Sequence, residues 1–375
     1  MSDGGGPRIL ILTVPHGASH RRLAAALRKA FLEIRPGLTV EIADALEHCA
    51  RWFRLYYDSY TLPLRYWPAL WAWIENLQHT RPSTGPNWLY RRGAKPLFRF
   101  IAAFAPDIVI ATEVGTCEMV AMYKRETAAR FLLIGAITGI DVDRAWAQRE
   151  VDLYPVGPGD MAAQLELAGV APSRILPCGV PVDPEFSHLP DRLTTRTRLQ
   201  VARDVPVVLA LFGGAGFGNP RRILAALEEI KLPFQATFIA GKNRRLQQKL
   251  ERVSAGHASW RVLGWVQNMH EWMAAADLLV SKPGASTLVE AITCGLPLLA
   301  FDPLPGNERR ACDWIEKRQI GHWARNTKDL AATIERWLAN PQELCRLRES
   351  ALALARPNAA RDAALAILKL WESRN

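Results

Sequence analysis

A buried strand followed by a glycine-containing turn and an amphipathic helix is the pattern that most restricts the fold of this chain. It opens the sequence, where residues 8–14 are an apolar run, residues 15–20 a turn, and residues 21–35 a helix with helical apolar periodicity. The same unit begins again over residues 205–230. Apolar strands that alternate with helices are typical of parallel sheets covered on both faces. The sequence therefore predicts an α/β fold with two doubly wound sheets.

A segment rich in glycine and proline, residues 179–184 (GVPVDP), separates the two β/α series. Because 375 residues exceed one ordinary core, two domains are expected. We predict an N-terminal domain at residues 1–178, a linker at 179–204, a C-terminal domain at 205–358 and a last helix at 359–375 whose expected packing partner is the first domain. Ligands of such sheets bind at the carboxyl ends of strands, so we expect the domains to face each other across a cleft.

The charge balance favours acidic partners. The chain has 47 Lys and Arg against 37 Asp and Glu, which suits nucleic acid, anionic lipid or phosphorylated substrates. The six cysteines lack the spacing of a zinc site or a redox motif and are expected to be thiols in a reduced cytosol. No apolar run reaches the roughly 18 residues of a membrane span, and no signal peptide is recognised. We therefore expect a cytoplasmic protein.

The densest motif is VSKPGASTLVEAITCGLP at residues 280–297, where a strand and a glycine turn lead into a helix. Backbone N–H groups around Ser286 and Thr287, together with the helix dipole, form an anion site that suits a diphosphate. Glu290 follows one turn later, where a carboxylate can accept hydrogen bonds from two ribose hydroxyls. The alternative is an ordinary helix capped by Ser286 or Thr287.

A second glycine-rich loop, GGAGFG at residues 213–218, follows the first strand of the C-terminal domain. Glycine lets the backbone approach a ligand closely. The loop matches neither the dinucleotide fingerprint, which needs an acid about 20 residues on, nor the P-loop, since no GK[ST] follows. Glycine-rich turns between a strand and a helix are common, so the loop alone is weak evidence.

Aromatic and basic residues concentrate at residues 51–104, which hold five of the 13 tryptophans and five of the seven tyrosines. No acid occurs between Glu75 and Asp107. Amphipathic aromatic side chains beside cations suit a bilayer interface, and we interpret the segment as an element that docks on an anionic membrane and meets a lipid acceptor. The expected contacts are Trp67, Trp71, Trp88, Arg91, Arg92 and Lys95.

Two alternatives remain for this aromatic-basic segment. Its tryptophans can fill a core between helices, or its aromatics can stack on nucleic acid. Pro82, Gly85, Pro86 and Gly93 indicate that part of it is a mobile loop.

Several short motifs resemble those of the monogalactosyldiacylglycerol synthase family. They are GWVQNM at 264–269, EWMAAAD at 271–277, KPGASTLVE at 282–290, PGNE at 305–308, AGKN at 240–243, GVPV at 179–182 and GASHR at 17–21, which stands where the family has GGGHR. This family includes processive diacylglycerol glucosyltransferases and is related to the peptidoglycan lipid-I N-acetylglucosaminyltransferase. The resemblance covers most of the chain and is strongest from residue 175 to 308.

The resemblance implies a GT-B fold, with two Rossmann-like domains facing a cleft, and inverting transfer of a sugar from a UDP-sugar to a lipid hydroxyl, most simply that of diacylglycerol. We expect no nucleic-acid partner and a peripheral location on the inner face of the cell membrane. The implied contacts are Val266 beside the uracil; Gly213, Gly214, Ser286 and Thr287 along the diphosphate; Glu290 on the ribose; and Asn307 and Glu308 on the sugar. His20 would be the base that takes the acceptor proton. By its position alone, His20 is equally expected to cap the helix or to form a hydrogen bond within the loop.

The chain departs from the family in its first domain. The family stretch TDxxxHxxW reads TGIDVDRAW at residues 138–146, so that Gly139 and Asp143 replace an aspartate and a histidine. Glu113 stands where relatives often carry histidine. Glu113, Asp141 or Asp143 could take part of the role of the base, and the identity of sugar and acceptor stays open.

Residues 141–143 also spell DxD, the metal motif of another glycosyltransferase fold. We interpret them as two exposed acids on a loop and expect neither a metal nor another cofactor. The charge of the leaving group is expected to be met by the helix end and by Lys or Arg.

Three other functions remain as alternatives. They are a transferase with an isoprenoid-linked or different acceptor, an enzyme of the same fold similar to UDP-N-acetylglucosamine 2-epimerase, and a lipid-surface adaptor that binds UDP without turnover. A nucleic-acid binder is disfavoured, because no binding module of that kind is recognised.

Overall fold

The computed structural model describes residues 6–15, 17–59, 66–157, 159–212 and 220–374. The chain forms two compact units. Unit 1 comprises Met1–Pro184 and Arg356–Asn375, and unit 2 comprises Glu185–Ala355. The boundary at residue 184 lies inside the segment predicted as a linker.

Unit 1 is built on a parallel four-stranded sheet with the strand order β2-β1-β3-β4. Its strands are β1 (Arg8–Thr13), β2 (Thr39–Asp44), β3 (Ile108–Ala111) and β4 (Leu132–Gly135), followed by a small parallel pair, β5 (Tyr154–Pro155) and β6 (Ile175–Leu176). Its helices are α1 (Ala18–Ile34), α2 (Arg51–Ser59), α3 (Pro68–Thr80), α4 (Asn87–Gly93), α5 (Lys95–Phe104), α6 (Val114–Thr127), α7 (Gly159–Leu167) and a C-terminal helix (Ala359–Glu372). Strands β3 and β4 are buried throughout, because helices cover the sheet.

The C-terminal helix packs against α1 within unit 1. An ion pair between Arg35 and Glu372, at 2.6 Å, joins the ends of the two helices. The chain returns to unit 1 close to Gly179, whose φ of +104° favours glycine. A Cβ at Gly179 would lie 2.4 Å from the Cβ of Arg356, so the close approach also requires glycine.

Unit 2 contains a parallel six-stranded sheet with the order β12-β11-β10-β7-β8-β9. Its strands are β7 (Val207–Leu211), β8 (Gln235–Ile239), β9 (Trp260–Leu263), β10 (Leu278–Ser281), β11 (Leu298–Phe301) and β12 (Gly321–Ala324). Its helices are α8 (Arg192–Arg198), α9 (Pro220–Glu228), α10 (Arg244–Ser254), α11 (Met269–Ala275), α12 (Ala285–Thr293), α13 (Asn307–Lys317), α14 (Thr327–Ala339) and α15 (Pro341–Leu354). The strand order reverses between β7 and β10, which is where doubly wound sheets bind ligands. The predicted α/β class with parallel sheets is confirmed.

Part of the predicted linker is folded on unit 2. Helix α8 is capped by Asp191, whose side chain accepts a hydrogen bond from the N–H of Thr194. The guanidinium of Arg196 is buried and bonds to Asp277, at the start of β10. Asp277 also accepts from the N–H of Val207 at 2.6 Å. Helix α8, although it lies within the predicted linker, is therefore a structural part of unit 2.

Candidate functional site

In unit 2, the first turn of α12 lies directly after the carboxyl end of β10, beside the point where the strand order reverses. The N-cap is Gly284, no side chain caps the helix, and no acid occurs in its first turn. The alternative of a helix capped by Ser286 or Thr287 is therefore wrong. Because its first turn contains no acid, the positive end of this helix dipole retains the character of an anion site.

Glu290 lies on the same helix, four residues after Ser286, so the two side chains share one face. Glu290 is 7% exposed, whereas Ser286 and Thr287 are half-buried. Val266 is half-buried in the loop between β9 and α11. This part of unit 2 thus combines backbone donors with a buried carboxylate one turn deeper. The predicted contacts Gly213 and Gly214 lie outside the described residues.

An ion pair between Lys282 and Glu308 stands beside this helix start. The Nζ of Lys282 lies 3.1 Å from Oε1 and 3.4 Å from Oε2 of Glu308, and both side chains are largely buried. The N–H of Leu304 donates to Oε2 at 2.6 Å. Both carboxylate oxygens are thus engaged within unit 2. Sequence reasoning missed Lys282 as a site residue, although a lysine between an apolar strand and a glycine turn was the available signal.

Asn307 is the first residue of α13 and is exposed, and its side-chain oxygen accepts a hydrogen bond from Arg310.

Besides Lys282, a second cation, Arg222, lies near this edge of the sheet, in the first turn of α9. It pairs with Asp302, directly after β11, and its guanidinium lies 4.7 Å from the ring centre of Phe301. Arg222 was also missed, because its placement depends on strands that are distant in sequence.

In unit 1, His20 lies in the first turn of α1, whose N-cap is Gly17 without a side-chain cap. The Nδ1 of His20 lies 2.5 Å from the carbonyl oxygen of Thr112. A carbonyl oxygen can only accept, so Nδ1 carries a hydrogen, and in the neutral ring the lone pair is on Nε2. The positive end of α1 also disfavours an imidazolium. His20 is therefore not the cap of its helix, and its geometry suits a general base.

Glu113 caps α6. Its Oε1 accepts from the N–H of Gly115 at 2.9 Å, and its Oε2 accepts from the N–H and the hydroxyl of Thr116 at 2.7 and 2.9 Å. Side-chain capping of this kind stabilises a helix by about 1 kcal/mol. These contacts give Glu113 a structural role as a helix cap, which the resemblance to the family did not imply.

The two acids of the DxD stretch hold a histidine of the aromatic-basic segment. The Nδ1 of His79, on α3, lies 2.7 Å from Oδ1 of Asp143, and its Nε2 lies 3.7 Å from Oδ2 of Asp141. Both aspartates are only about one-quarter exposed or less. Their interpretation as exposed loop acids is therefore wrong. Among the described residues, no group of three or more His, Cys, Asp and Glu side chains is arranged to hold a metal ion.

The aromatic-basic segment is mostly helical where it is described, with a non-helical stretch at residues 81–86, and it exposes many of its aromatic side chains. Of the 14 large apolar side chains exposed in the described residues, eight belong to it: Trp52, Leu55, Tyr56, Tyr66, Trp67, Leu70, Trp73 and Trp88. Trp71 is only 4% exposed, so its expected membrane contact is wrong and it belongs to the core. Among the expected cations, Arg92 and Lys95 are exposed, and Arg91 is exposed but pairs with Glu126 at 2.6 Å.

The stretch expected to be a mobile loop is tied to α6 by a buried carboxyl group. Glu118 is 6% exposed, and its Oε1 lies 2.9 Å from the N–H and 2.5 Å from the hydroxyl of Thr84. The hydroxyl of Ser83 lies 2.5 Å from Oε2 of Glu118 and 2.8 Å from the carbonyl of Gly85. Burial raises the pKa of Glu118 to about 7. At least residues 83–85 are thus anchored.

No helix in the described part of the chain is both long and apolar enough to span a bilayer.

Two family models match the chain in succession. Residues 20–182 match the model of monogalactosyldiacylglycerol (MGDG) synthase, and residues 218–353 match the model of glycosyl transferases group 1. A processive diacylglycerol beta-glucosyltransferase from Bacillus mycoides is 25% identical, with 94% of this chain and 91% of that protein covered. The resemblance seen in the sequence motifs is confirmed.

Solved structures share the fold over nearly the whole chain. Acinetobacter baumannii MurG has a TM-score of 0.61 at 14% identity and covers 97% of this chain and 99% of its own. Anabaena HepE, in complex with UDP and glucose, has a TM-score of 0.56 at 17% identity and covers 98% and 99%. The protein is thus a glycosyltransferase of the GT-B fold, in which a region similar to monogalactosyldiacylglycerol synthase precedes a region similar to group 1 glycosyl transferases.

Proposed function

We propose that this protein transfers a sugar from a UDP-sugar to the hydroxyl of diacylglycerol, with inversion, at the cytoplasmic surface of the membrane. The observation that carries this proposal is the start of α12, where a turn without a side-chain cap or an acid precedes the buried Glu290. Backbone N–H groups and the dipole at such a helix start bind phosphate oxygens. A buried carboxylate gains hydrogen bonds when it accepts from the hydroxyls of a ribose.

His20 is the proposed base. In the neutral ring Nδ1 donates its hydrogen to the carbonyl of Thr112, so the lone pair on Nε2 can take the proton of the acceptor hydroxyl as the oxygen attacks the anomeric carbon. Glu113, Asp141 and Asp143 are poorer candidates, since their oxygens cap a helix or pair with His79.

Two cations are proposed to meet the negative charge that develops on the leaving UDP. Lys282 follows β10 directly, and Arg222 lies in the first turn of α9. Each is held by a carboxylate, Glu308 or Asp302, which fixes its position before the substrate arrives. Fixed charges of this kind need no reorganisation during reaction, and the proposed mechanism therefore requires no metal ion.

The acceptor is proposed to reach the enzyme from a bilayer. The exposed aromatic side chains of the aromatic-basic segment combine an apolar body with a polar tip, as at membrane interfaces. Exposed Arg92 and Lys95 add attraction to anionic lipid. The named activity of the Bacillus mycoides relative supports diacylglycerol as the acceptor and makes UDP-glucose the first donor to test.

The test uses vesicles that contain diacylglycerol and phosphatidylglycerol, with each UDP-sugar in turn. Lipid products are identified by mass spectrometry, and UDP release is followed in parallel. We expect a glycolipid that requires the diacylglycerol of the vesicles and forms equally with and without EDTA. Loss of the product with EDTA would overturn the metal-free mechanism.

Glu290→Gln preserves side-chain size and tests the donor site, with the exposed Glu229→Gln as the matched control. We expect Glu290→Gln to weaken UDP binding about tenfold or more, because it replaces charge-assisted hydrogen bonds with neutral ones. UDP release without a glycolipid would retain the donor site but reject diacylglycerol in favour of another acceptor, such as an isoprenoid-linked lipid. Unchanged UDP binding in Glu290→Gln would contradict the assigned ribose contact.

A further inference from the structure

Unit 2 contains a groove between helices α9 and α10 that the reaction does not use. Its volume is 520 Å³. It is lined by Pro220, Arg221, Leu224, Arg245, Gln248, Lys249, Leu250, Arg252 and Val253. Leu224 and Leu250 are buried and form an apolar floor, while Arg221, Arg245, Lys249 and Arg252 are exposed around it. We refer to these residues as the basic groove.

The charge of the basic groove is uncompensated. None of the described residues that line it is acidic, and none of its four cations forms an ion pair within 4.0 Å with another described residue. The acid on α10, Glu251, bonds to Gln247 instead. By contrast, Arg192, Arg196 and Arg222 of unit 2 are each paired with an aspartate. Four clustered cations repel one another, so a bound anion lowers the energy of this surface.

The basic groove is separate from the proposed donor site. Helices α9 and α10 pack with α14 on one hydrophobic cluster, to which Leu224, Leu250 and Leu330 contribute. Helix α12, which carries Glu290, packs against α15 instead. Arg222, the proposed donor-site cation on α9, pairs with Asp302 and does not line the groove, and no other described donor contact lines it.

We propose that the basic groove binds headgroups of anionic phospholipids, so that unit 2 also docks on the bilayer. This inference rests on the proposed function, since a lipid acceptor brings the enzyme to such a surface. The cations suit the phosphates, and the exposed Val253 at the rim suits the glycerol region beneath them. Nucleic acid fits less well, because none of the described residues that line the groove is an aromatic on which a base can stack.

The test measures partition onto zwitterionic vesicles and onto vesicles with added phosphatidylglycerol. The variant is Lys249→Gln/Arg252→Gln, which keeps long, helix-compatible side chains. The control is Lys317→Gln/Lys328→Gln, two exposed lysines elsewhere in unit 2 whose replacement changes the net charge equally. Each cation near an anionic surface contributes appreciably to binding, so we expect the groove variant to bind anionic vesicles about tenfold or more weakly. Binding of the control, and binding to zwitterionic vesicles, should stay close to wild type.

Equal losses in the two variants would show that net charge alone acts and would overturn the proposal. Wild-type partition of the groove variant would also overturn it and would direct attention to an acidic protein partner. Transfer to diacylglycerol dispersed in a neutral detergent separates this inference from the proposed function. The groove variant should match wild type in that assay, whereas failure of the proposed function would abolish the product in every variant and leave the partition result unaffected.

Discussion

The imidazole of His20 donates from Nδ1 to the carbonyl oxygen of Thr112 across 2.5 Å. Thr112 is fully buried, and its N–H and hydroxyl both donate to the carbonyl of Leu12, at 3.1 and 3.2 Å. The acceptor of the histidine is thus held between β1 and β3, where the strand order of unit 1 reverses. The sheet therefore determines which ring nitrogen of His20 can receive a proton.

Removal of the His20 ring should lower the rate of turnover sharply without weakening UDP binding. We expect His20→Ala to lower kcat by about 10² to 10⁴, the usual contribution of a general base, with UDP affinity unchanged. Stopped assays of glycolipid and calorimetric titration with UDP measure the two effects. His188→Ala, at an exposed histidine of unit 2, is the control and should keep full activity. A comparable loss of UDP affinity in His20→Ala would argue against the role of a base.

Variants of the Lys282–Glu308 pair should distinguish effects on folding stability from effects on UDP binding. Lys282→Ala leaves a largely buried carboxylate without its cation, and we expect about 1–3 kcal/mol of destabilisation together with weaker UDP binding. The double variant Lys282→Ala/Glu308→Gln should recover stability, since the uncompensated charge is gone, but not UDP affinity. Thermal unfolding and UDP titration measure the two. Recovery of UDP affinity in the double variant would show that Lys282 acts only through Glu308.

The buried Glu118 should make stability depend on pH. Ser83 has one hydroxyl hydrogen, and if that hydrogen goes to the carbonyl of Gly85, a protonated Glu118 supplies the one between Oε2 and Ser83. The pKa of Glu118 is raised from 4.5 to about 7 in the folded chain. Only the folded state binds this proton between these values, so its contribution to stability is complete below pH 4.5 and is lost as pH rises through 7.

Glu118→Gln imitates the protonated acid, because its amide can donate to Ser83 and accept from Thr84. We expect this variant to lack the Glu118 contribution to pH dependence, which can reach about 3 kcal/mol in the wild type, and to be more stable than the wild type at pH 8. Urea unfolding at pH 5 and pH 8 measures both. Equal pH slopes in the two proteins would show that Glu118 is ionised throughout.

Truncation of two tryptophans on α3 should affect different properties of the protein, vesicle binding for Trp73 and folding stability for Trp71. Trp73 is 63% exposed and Trp71 only 4%. We expect Trp73→Ala to change the unfolding free energy by less than about 0.5 kcal/mol and to weaken vesicle binding about tenfold. Trp71→Ala should cost about 3–5 kcal/mol of stability through cavity formation. Unchanged vesicle binding in Trp73→Ala would remove α3 from the membrane contact.

The sequence by itself determined the elements and the chemistry that depends on neighbouring residues. Strands of unbroken apolar residues that alternate with helices predicted the two parallel sheets, since period and burial are local properties. The helix start before Glu290 followed from a strand, a glycine turn and a helix in immediate succession. In the same way, the strand before His20 placed that histidine at a helix start.

The tertiary structure alone decided which side chains meet. It paired Lys282 with Glu308 and His79 with Asp141 and Asp143, across separations that no periodicity encodes. It also separated buried Trp71 from exposed Trp73, although both belong to one aromatic segment. These outcomes depend on how helices pack on a twisted sheet, and the contacts of distant residues set the exposure and charge of each group.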